Sequence, residues 1–259
     1  MADKHPANIR HLPDQTFVID LTLPASVINT EHQRQFSLIQ TNFKTKGFRP
    51  GKVPLDIIKQ QLDAQDLILK TAQALISQSY SDIIKTNQLR PVVPPKITIH
   101  PLPLKLGVDW RLEISSCQLP SLRLDRHYQD QIKKINQGQD KNKLGLIFDH
   151  LVKSSQVQFP PVLIESGLEN KLSHLIDQTQ QAGITVSDYL KSKNLSLDAL
   201  KDHYRSQIKT EWTLNLAFNQ IAADNHITVA KSDLAKSPHP SLGHLIALQQ
   251  KVIKFLTQL

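Results

Sequence analysis

The sequence predicts an α+β N-terminal domain, a small antiparallel sheet with helices, followed by an all-α C-terminal domain of helical arms. Three observations carry that prediction. "TFVIDLTLP" alternates Phe17, Ile19, Leu21 and Leu23 against Val18, Asp20 and Thr22, the period-2 mark of a half-buried strand. "PKITIHPLPLKLGVDWRLEISSCQLP" reads as a hairpin, with Val108, Trp110, Leu112 and Ile114 on one face and Asp109, Arg111, Glu113 and Ser115 on the other. Beyond Pro120 no strand pattern remains, and apolar residues recur at helical spacing. At 259 residues the chain is long enough for two domains. The boundaries expected are a tail over 1–15, a first domain over 16–119 and a second over 120–259.

In the first domain, Pro24 closes the leading strand. Val27, Ile28, Phe36, Ile39 and Phe43 then predict a helix from about Ala25 to Lys46, with Gly47 as its stop. Another helix opens near Pro54, a residue suited to a first helical turn. A longer one runs from about Ala64 to Asn87, with Ile68, Ala72, Leu75, Ile76, Tyr80 and Ile83 on one side. The order is strand, three helices and two strands, so that helices cover one face of the sheet. In the second domain, Leu122 to Asn136 predicts a polar helix and Leu144 to Ser155 another. "FPPVLIESGLENKLSHLIDQ" places two prolines before a third. The most extended helix runs from about Ser196 to Asn225. "AKSPHPSLG" interrupts the chain before a last amphipathic helix to Leu259, a pattern of antiparallel arms joined by short turns.

Composition excludes several classes of function. Aromatics make up 5 % of the chain, too few for a large aromatic-lined pocket. The single cysteine, Cys117, rules out an internal disulfide and a cysteine-built metal site, and its place at a strand end with no adjacent histidine makes it a small buried hydrophobe. The N-terminus lacks the apolar core of a secretory signal, and no apolar run nears the ~20 residues that span a bilayer, so a soluble cytoplasmic protein is expected. His239 and His244 are set beside Pro238 and Pro240, where loop histidines are usually just solvated. No nucleophile sits with its base and no carboxylate pair is set for acid–base work. The chain is not expected to be an enzyme or to carry a cofactor or metal.

Charge is more informative locally than in bulk. The net charge of +8 suits either a polyanionic partner or a solvated lysine surface. Between Glu31 and Asp56 there is no acid, yet Arg34, Lys44, Lys46, Arg49 and Lys52 all fall there. "GFRPGKV" is not a phosphate-binding P-loop: three residues separate its glycines instead of four, and Val53 stands where a magnesium-binding hydroxyl is required. Held between helices, Gly47 and Gly51 sharpen the turn. Phe48, Arg49 and Lys52 either project from it or, for the phenylalanine, fold back into the core.

Gly47-Phe48-Arg49-Pro50-Gly51-Lys52-Val53-Pro54 resembles, position for position, the G-F-R-x-G-K-x-P signature of the trigger factor family, ribosome-associated chaperones of bacteria. "SSQVQFPPVLIESGLENKLSHLI" is similar to the family's C-terminal segment, where a residue pair before proline opens a helical arm. The resemblance covers about Thr16 to Asn225. It implies a ribosome-binding first domain and a helical substrate cradle that works without ATP. It also implies partners: the large ribosomal subunit, through an exit-site ribosomal protein and rRNA, and nascent or unfolded polypeptides. No membrane partner is expected, and a homodimer is compatible. Carried over by position, Phe48, Arg49 and Lys52 are the expected ribosome contacts, with Gly47 and Gly51 setting the turn; Lys44 and Lys46 are added from charge alone. The family's inserted FKBP-type prolyl-isomerase domain has no counterpart here, since only "NQGQDKNK" stands in its place between Asn136 and Lys143. No isomerase activity is therefore expected. Two rival classes are a ribosome- or RNA-binding factor without chaperone activity and an export-type holdase, which would need a signal segment. The cradle's residues are not readable, because periodicity does not separate an apolar stripe that packs inward from one that faces a client.

Overall fold

The structure is a computed structural model and describes residues 7–43, 45, 48, 53–230 and 243–259. It divides into two compact units, Met1–Leu119 and Pro120–Leu259. Among the described residues, no helix is long and apolar enough to cross a membrane.

The first unit is a four-stranded antiparallel sheet in the order β1-β2-β4-β3, formed by β1 (Ala7–His11), β2 (Thr16–Leu23), β3 (Lys96–His100) and β4 (Trp110–Cys117). Between β2 and β3 lie α1 (Ala25–Asn42), α2 (Leu55–Gln61) and α3 (Ala64–Thr86). The alternation in the sequence reappears as register. Leu23 faces Trp110, Leu21 faces Leu112 and Ile19 faces Ile114 across the central pair. Because side chains alternate along a strand, all six fall on one face. There they form a core with Phe17, Ile28 of α1, and Ala72 and Leu75 of α3. The first turn of α1 is capped from the neighbouring strand's start, where Asp109, just before Trp110, accepts at Oδ1 from the Ala25 N–H at 2.8 Å. Pro24, with no such side chain, could not have done so.

Three sequence expectations are corrected here. Residues 1–15 are not all tail, because Ala7–His11 pairs with β2 as β1, Ile9 opposite Ile19. Ala7 and Ile9 pack against the core between exposed Asn8 and Arg10, a short alternation that the sequence does not display by itself. Val108 precedes β4 and is 40 % exposed, so it does not share the inner face with Trp110. α1 ends at Asn42 rather than near Lys46. At Phe43 the backbone turns extended, with φ −66° and ψ 128°, and its N–H bonds to Gln40 O, three residues back instead of four.

The second unit contains α4 (Tyr128–Gln137), α5 (Lys143–Lys153), α6 (Pro161–Gln181), α7 (Val186–Ser192), α8 (Leu197–Asp224) and α9 (Gly243–Thr257). It is not strictly all-helical: β5 (Leu122–Leu124) and β6 (Ser155–Val157) form a two-stranded antiparallel sheet, Leu122 opposite Val157. Strands of three residues are too short to display a period. Leu122 therefore opens a strand, and α4 begins at Tyr128. Tyr128, Ile132, Ile147, Leu151, Phe218, Ile221, Val252 and Leu256 make the main core, to which α4, α5, α8 and α9 all contribute.

Candidate functional site

The connection after α1 is fixed at both ends. On the α1 side the Phe43 N–H bonds to Gln40 O, closing the helix. On the other side Val53 is buried at 3 % exposure and Ile58 completely. Pro54 O accepts from the Ile57 and Ile58 N–H groups to start α2. Between these anchors Phe48 is 42 % exposed, its N–H bonded to Thr45 O at 3.4 Å. The ring therefore projects and is not part of either core. Lys44, Lys46, Gly47, Arg49, Gly51 and Lys52 lie outside the described residues.

Arg34 does not belong to the local cationic field. Its guanidinium forks onto Glu31 with both contacts at 2.7 Å, and Gln35 Nε2 donates to the same carboxylate at 2.7 Å. The Arg34 hydrogen bond draws the Glu31 carboxyl below its ordinary range, with burial opposing and Gln35 assisting. Arg34 is thus neutralised within α1, and the loop's field rests on Lys44, Lys46, Arg49 and Lys52.

The second unit carries an arm made of α6 and α8, with α7 at its far end. Ile164, Leu168 and Ile208 form its buried cluster, flanked by Phe159, Leu172, Tyr204 and Trp212, and Leu175 and Leu200 are buried farther along the two helices. Lys171–Glu211 at 2.8 Å and Arg205–Glu165 at 3.0 Å bridge the two long helices. Gly167 lets them approach, since a Cβ there would lie 3.1 Å from Ile208 Cγ2. At the far end, Gly183 and Asn194 take left-handed conformations, φ 69° and 52°. Each ends a helix with a bond from the following residue, Ile184 N to Thr179 O and Leu195 N to Leu190 O. Around these turns apolar side chains stand exposed: Ile176 near the end of α6 at 53 %, Ile184 at 45 %, Leu195 at 41 % and Leu197 at the start of α8 at 44 %. Helical periodicity concealed this group, whose only sequence signal was the Gly and Asn that reverse the chain.

Elsewhere, Cys117 is completely buried and burial pushes its thiol up to about 11, which suits a packing role. His239 lies outside the described residues, and His244 is in α9.

Comparison with known proteins decides the family. A model described as "Bacterial trigger factor protein (TF)" matches residues 7–140, and one described as "Bacterial trigger factor protein (TF) C-terminus" matches 123–238. The first alone spans just over half of the chain. The chain belongs to the trigger factor family. Among curated relatives, the trigger factor of Staphylococcus carnosus (strain TM300) is 24 % identical over 133 residues, which are 51 % of this chain and 30 % of that protein. The trigger factor of Thermomicrobium roseum (strain ATCC 27502 / DSM 5159 / P-2) is 23 % identical over 104 residues, 39 % of this chain and 21 % of that one. The chain thus covers less than a third of the length of these relatives. A solved structure described as "Promiscuous Substrate Recognition in Folding and Assembly Activities of the Trigger Factor Chaperone" shares the fold, with a TM-score of 0.56 over 97 % of this chain and 99 % of that one, at 10 % identity.

The two trigger factor models overlap at residues 123–140, which leaves no chain between them for a further domain. The structure agrees, because α4 and α5 are joined by residues 138–142 alone. Asp140 Oδ1 accepts from the Asn142 N–H there, and Asn142 caps α5. Between the regions matched by the two models the chain holds no insertion of domain size.

Proposed function

We propose that the chain is an ATP-independent chaperone that docks at the ribosomal exit and shields nascent or unfolded polypeptides, without prolyl-isomerase activity. The observation that carries this reading is the exposed Phe48 in an eight-residue family signature, on a chain matched by family models from residue 7 to 238. Phe48, Arg49 and Lys52 are the docking contacts, Gly47 and Gly51 set the turn, and Lys44 and Lys46 add positive charge toward rRNA. An arginine fork and lysine point charges suit phosphate and carboxylate alike. If about four cations each neutralised one phosphate, affinity would fall about a hundredfold between 50 and 200 mM salt.

The helical unit supplies the client surface. Ile176, Ile184, Leu195 and Leu197 at the end of the arm offer scattered apolar contact among polar neighbours, a surface suited to partners of many sequences. The first unit, through Leu119, acts as the docking domain and residues 120–259 as the cradle, working in the cytoplasm. The test is suppression of aggregation of a chemically unfolded client by the purified chain without ATP, beside a proline-peptide isomerisation assay. Suppression with no acceleration of isomerisation is the expected pair of results. Ribosome binding without suppression would favour a ribosome- or RNA-binding factor, and accelerated isomerisation would contradict the reading.

A further inference from the structure

The two edges of the first unit's sheet are built differently. At the β1 edge, Arg10 stands near the strand's centre and is locked in place, with Nε 3.0 Å from Asp20 and Nη2 3.4 Å from Glu113. A fixed charge on an edge strand is a common guard against unwanted pairing. At the β3 edge the central residues are Ile97, Thr98 and Ile99, all β-branched and uncharged. β3 pairs with β4 from Lys96↔Ser115 to His100↔Arg111, and among the described residues it has no partner on its other side. An antiparallel strand turns alternate N–H and C=O groups outward, so this edge presents unused backbone donors and acceptors. Pro101 and Pro103, which carry no N–H, end it.

Apolar side chains flank that edge. Ile97 is 39 % exposed although its cross-strand partner Ile114 is completely buried. The β3–β4 loop adds Leu102 at 71 %, Leu106 at 39 % and Val108 at 40 %. This loop is anchored, not collapsed: Leu104 is buried, Trp110 Nε1 donates to Lys105 O at 2.9 Å, and Asp109 caps α1. Lys96 and Lys105 are exposed at its borders and have no ion-pair partner among the described residues.

We propose that the open edge of β3, with the apolar loop beside it, takes up an extended segment of unfolded polypeptide as an added strand. Backbone hydrogen bonds would supply sequence-tolerant affinity, and the exposed Ile97 and Leu102 would favour segments with apolar residues at alternate positions. The two lysines favour acidic flanks. The inference rests on the chaperone reading for the source of the segment, and it gives the first unit a client contact of its own.

The probe is a short dye-labelled peptide of alternating valine and threonine with aspartate at both ends, added to the full chain. Two further peptides carry backbone N-methyl groups on one or the other set of alternate residues. Strand addition uses one edge of the peptide only, so one methylated set is expected to weaken binding by about tenfold or more while the other leaves it nearly unchanged. Hydrogen exchange is expected to slow at residues 96–100 when the unmodified peptide binds. Equal binding of all three peptides, or protection confined to residues 176–197, overturns the proposal. So does concentration-dependent protection of 96–100 without peptide, which would mean that a second copy occupies the edge. Failure to suppress client aggregation, with protection at 96–100 intact, would remove the chaperone reading and leave strand addition standing. Suppression without that protection would do the reverse.

Discussion

The sheet core of the first unit and the arm seam of the second hold together in different ways. In the first, register across β2 and β4 brings Phe17, Ile19, Leu23, Trp110 and Ile114 to complete burial on one face. In the second, two long helices meet along a stripe whose buried cluster is Ile164, Leu168 and Ile208, flanked by partly buried Leu172, Tyr204 and Trp212 and assisted by ion pairs on partly exposed side chains. A sheet face confines apolar surface to its interior and leaves exposed residues at edges and loops. A seam between two helices leaves most of each helix surface outward. The proposed surface for varied partners accompanies the less buried architecture, whereas the proposed docking loop is hung on the more buried one.

The strongest way to break this contrast is to cut the sheet core. Trp110→Ala removes a completely buried ring and its bond to Lys105 O, and is expected to cost about 3–5 kcal/mol in urea unfolding followed by circular dichroism. The chain has two tryptophans, and the other, Trp212, flanks the arm seam. Its fluorescence transition is expected to stay where it is in the parent chain; a parallel shift would erase the distinction between the two cores. Ile208→Ala is expected to cost about 2–4 kcal/mol, read by Trp212, because the residue fills the seam against Gly167.

A smaller effect sharpens the arm's end. Thr185 and Asp188 form a reciprocal cap on α7, Thr185 Oγ1 accepting from the Asp188 N–H at 3.1 Å. Thr185→Ala is expected to cost about 1 kcal/mol, seen as faster hydrogen exchange over residues 186–192. The smallest effect is acid dependence in α1. The Glu31 carboxyl is held below its ordinary range, so its bridge to Arg34 contributes stability above that range and loses it as pH falls through the folded value. Glu31→Gln is expected to shallow the decline in stability on acidification. An unchanged acid profile would mean that the pair contributes nothing.

The sequence made the central strands legible because Phe17 to Leu23 and Trp110 to Ile114 obey a two-residue period that only a one-sided sheet imposes. The helices were legible in kind and less so at their ends: α1 stops at Asn42 because the backbone turns extended at Phe43, a change no periodicity displays. β5 and β6 were invisible because three residues are too few to show a period, and β1 because its inward pair, Ala7 and Ile9, includes only one large apolar side chain. For the docking loop, the eight-residue motif gave the residue types and Phe48's exposure came from the structure. The proposed client surface stayed hidden because Leu175 and Ile176 look alike in sequence, yet one is 4 % exposed and the other 53 %.

The measurement that bears most directly on the account is co-sedimentation with ribosomes at physiological salt, comparing the parent chain with Phe48→Ala, Arg49→Ala and Lys52→Ala combined. The account predicts that the parent pellets with ribosomes, less so as salt rises, and that the triple variant stays in the supernatant with its fold intact by circular dichroism. A triple variant that pellets as well as the parent would contradict it.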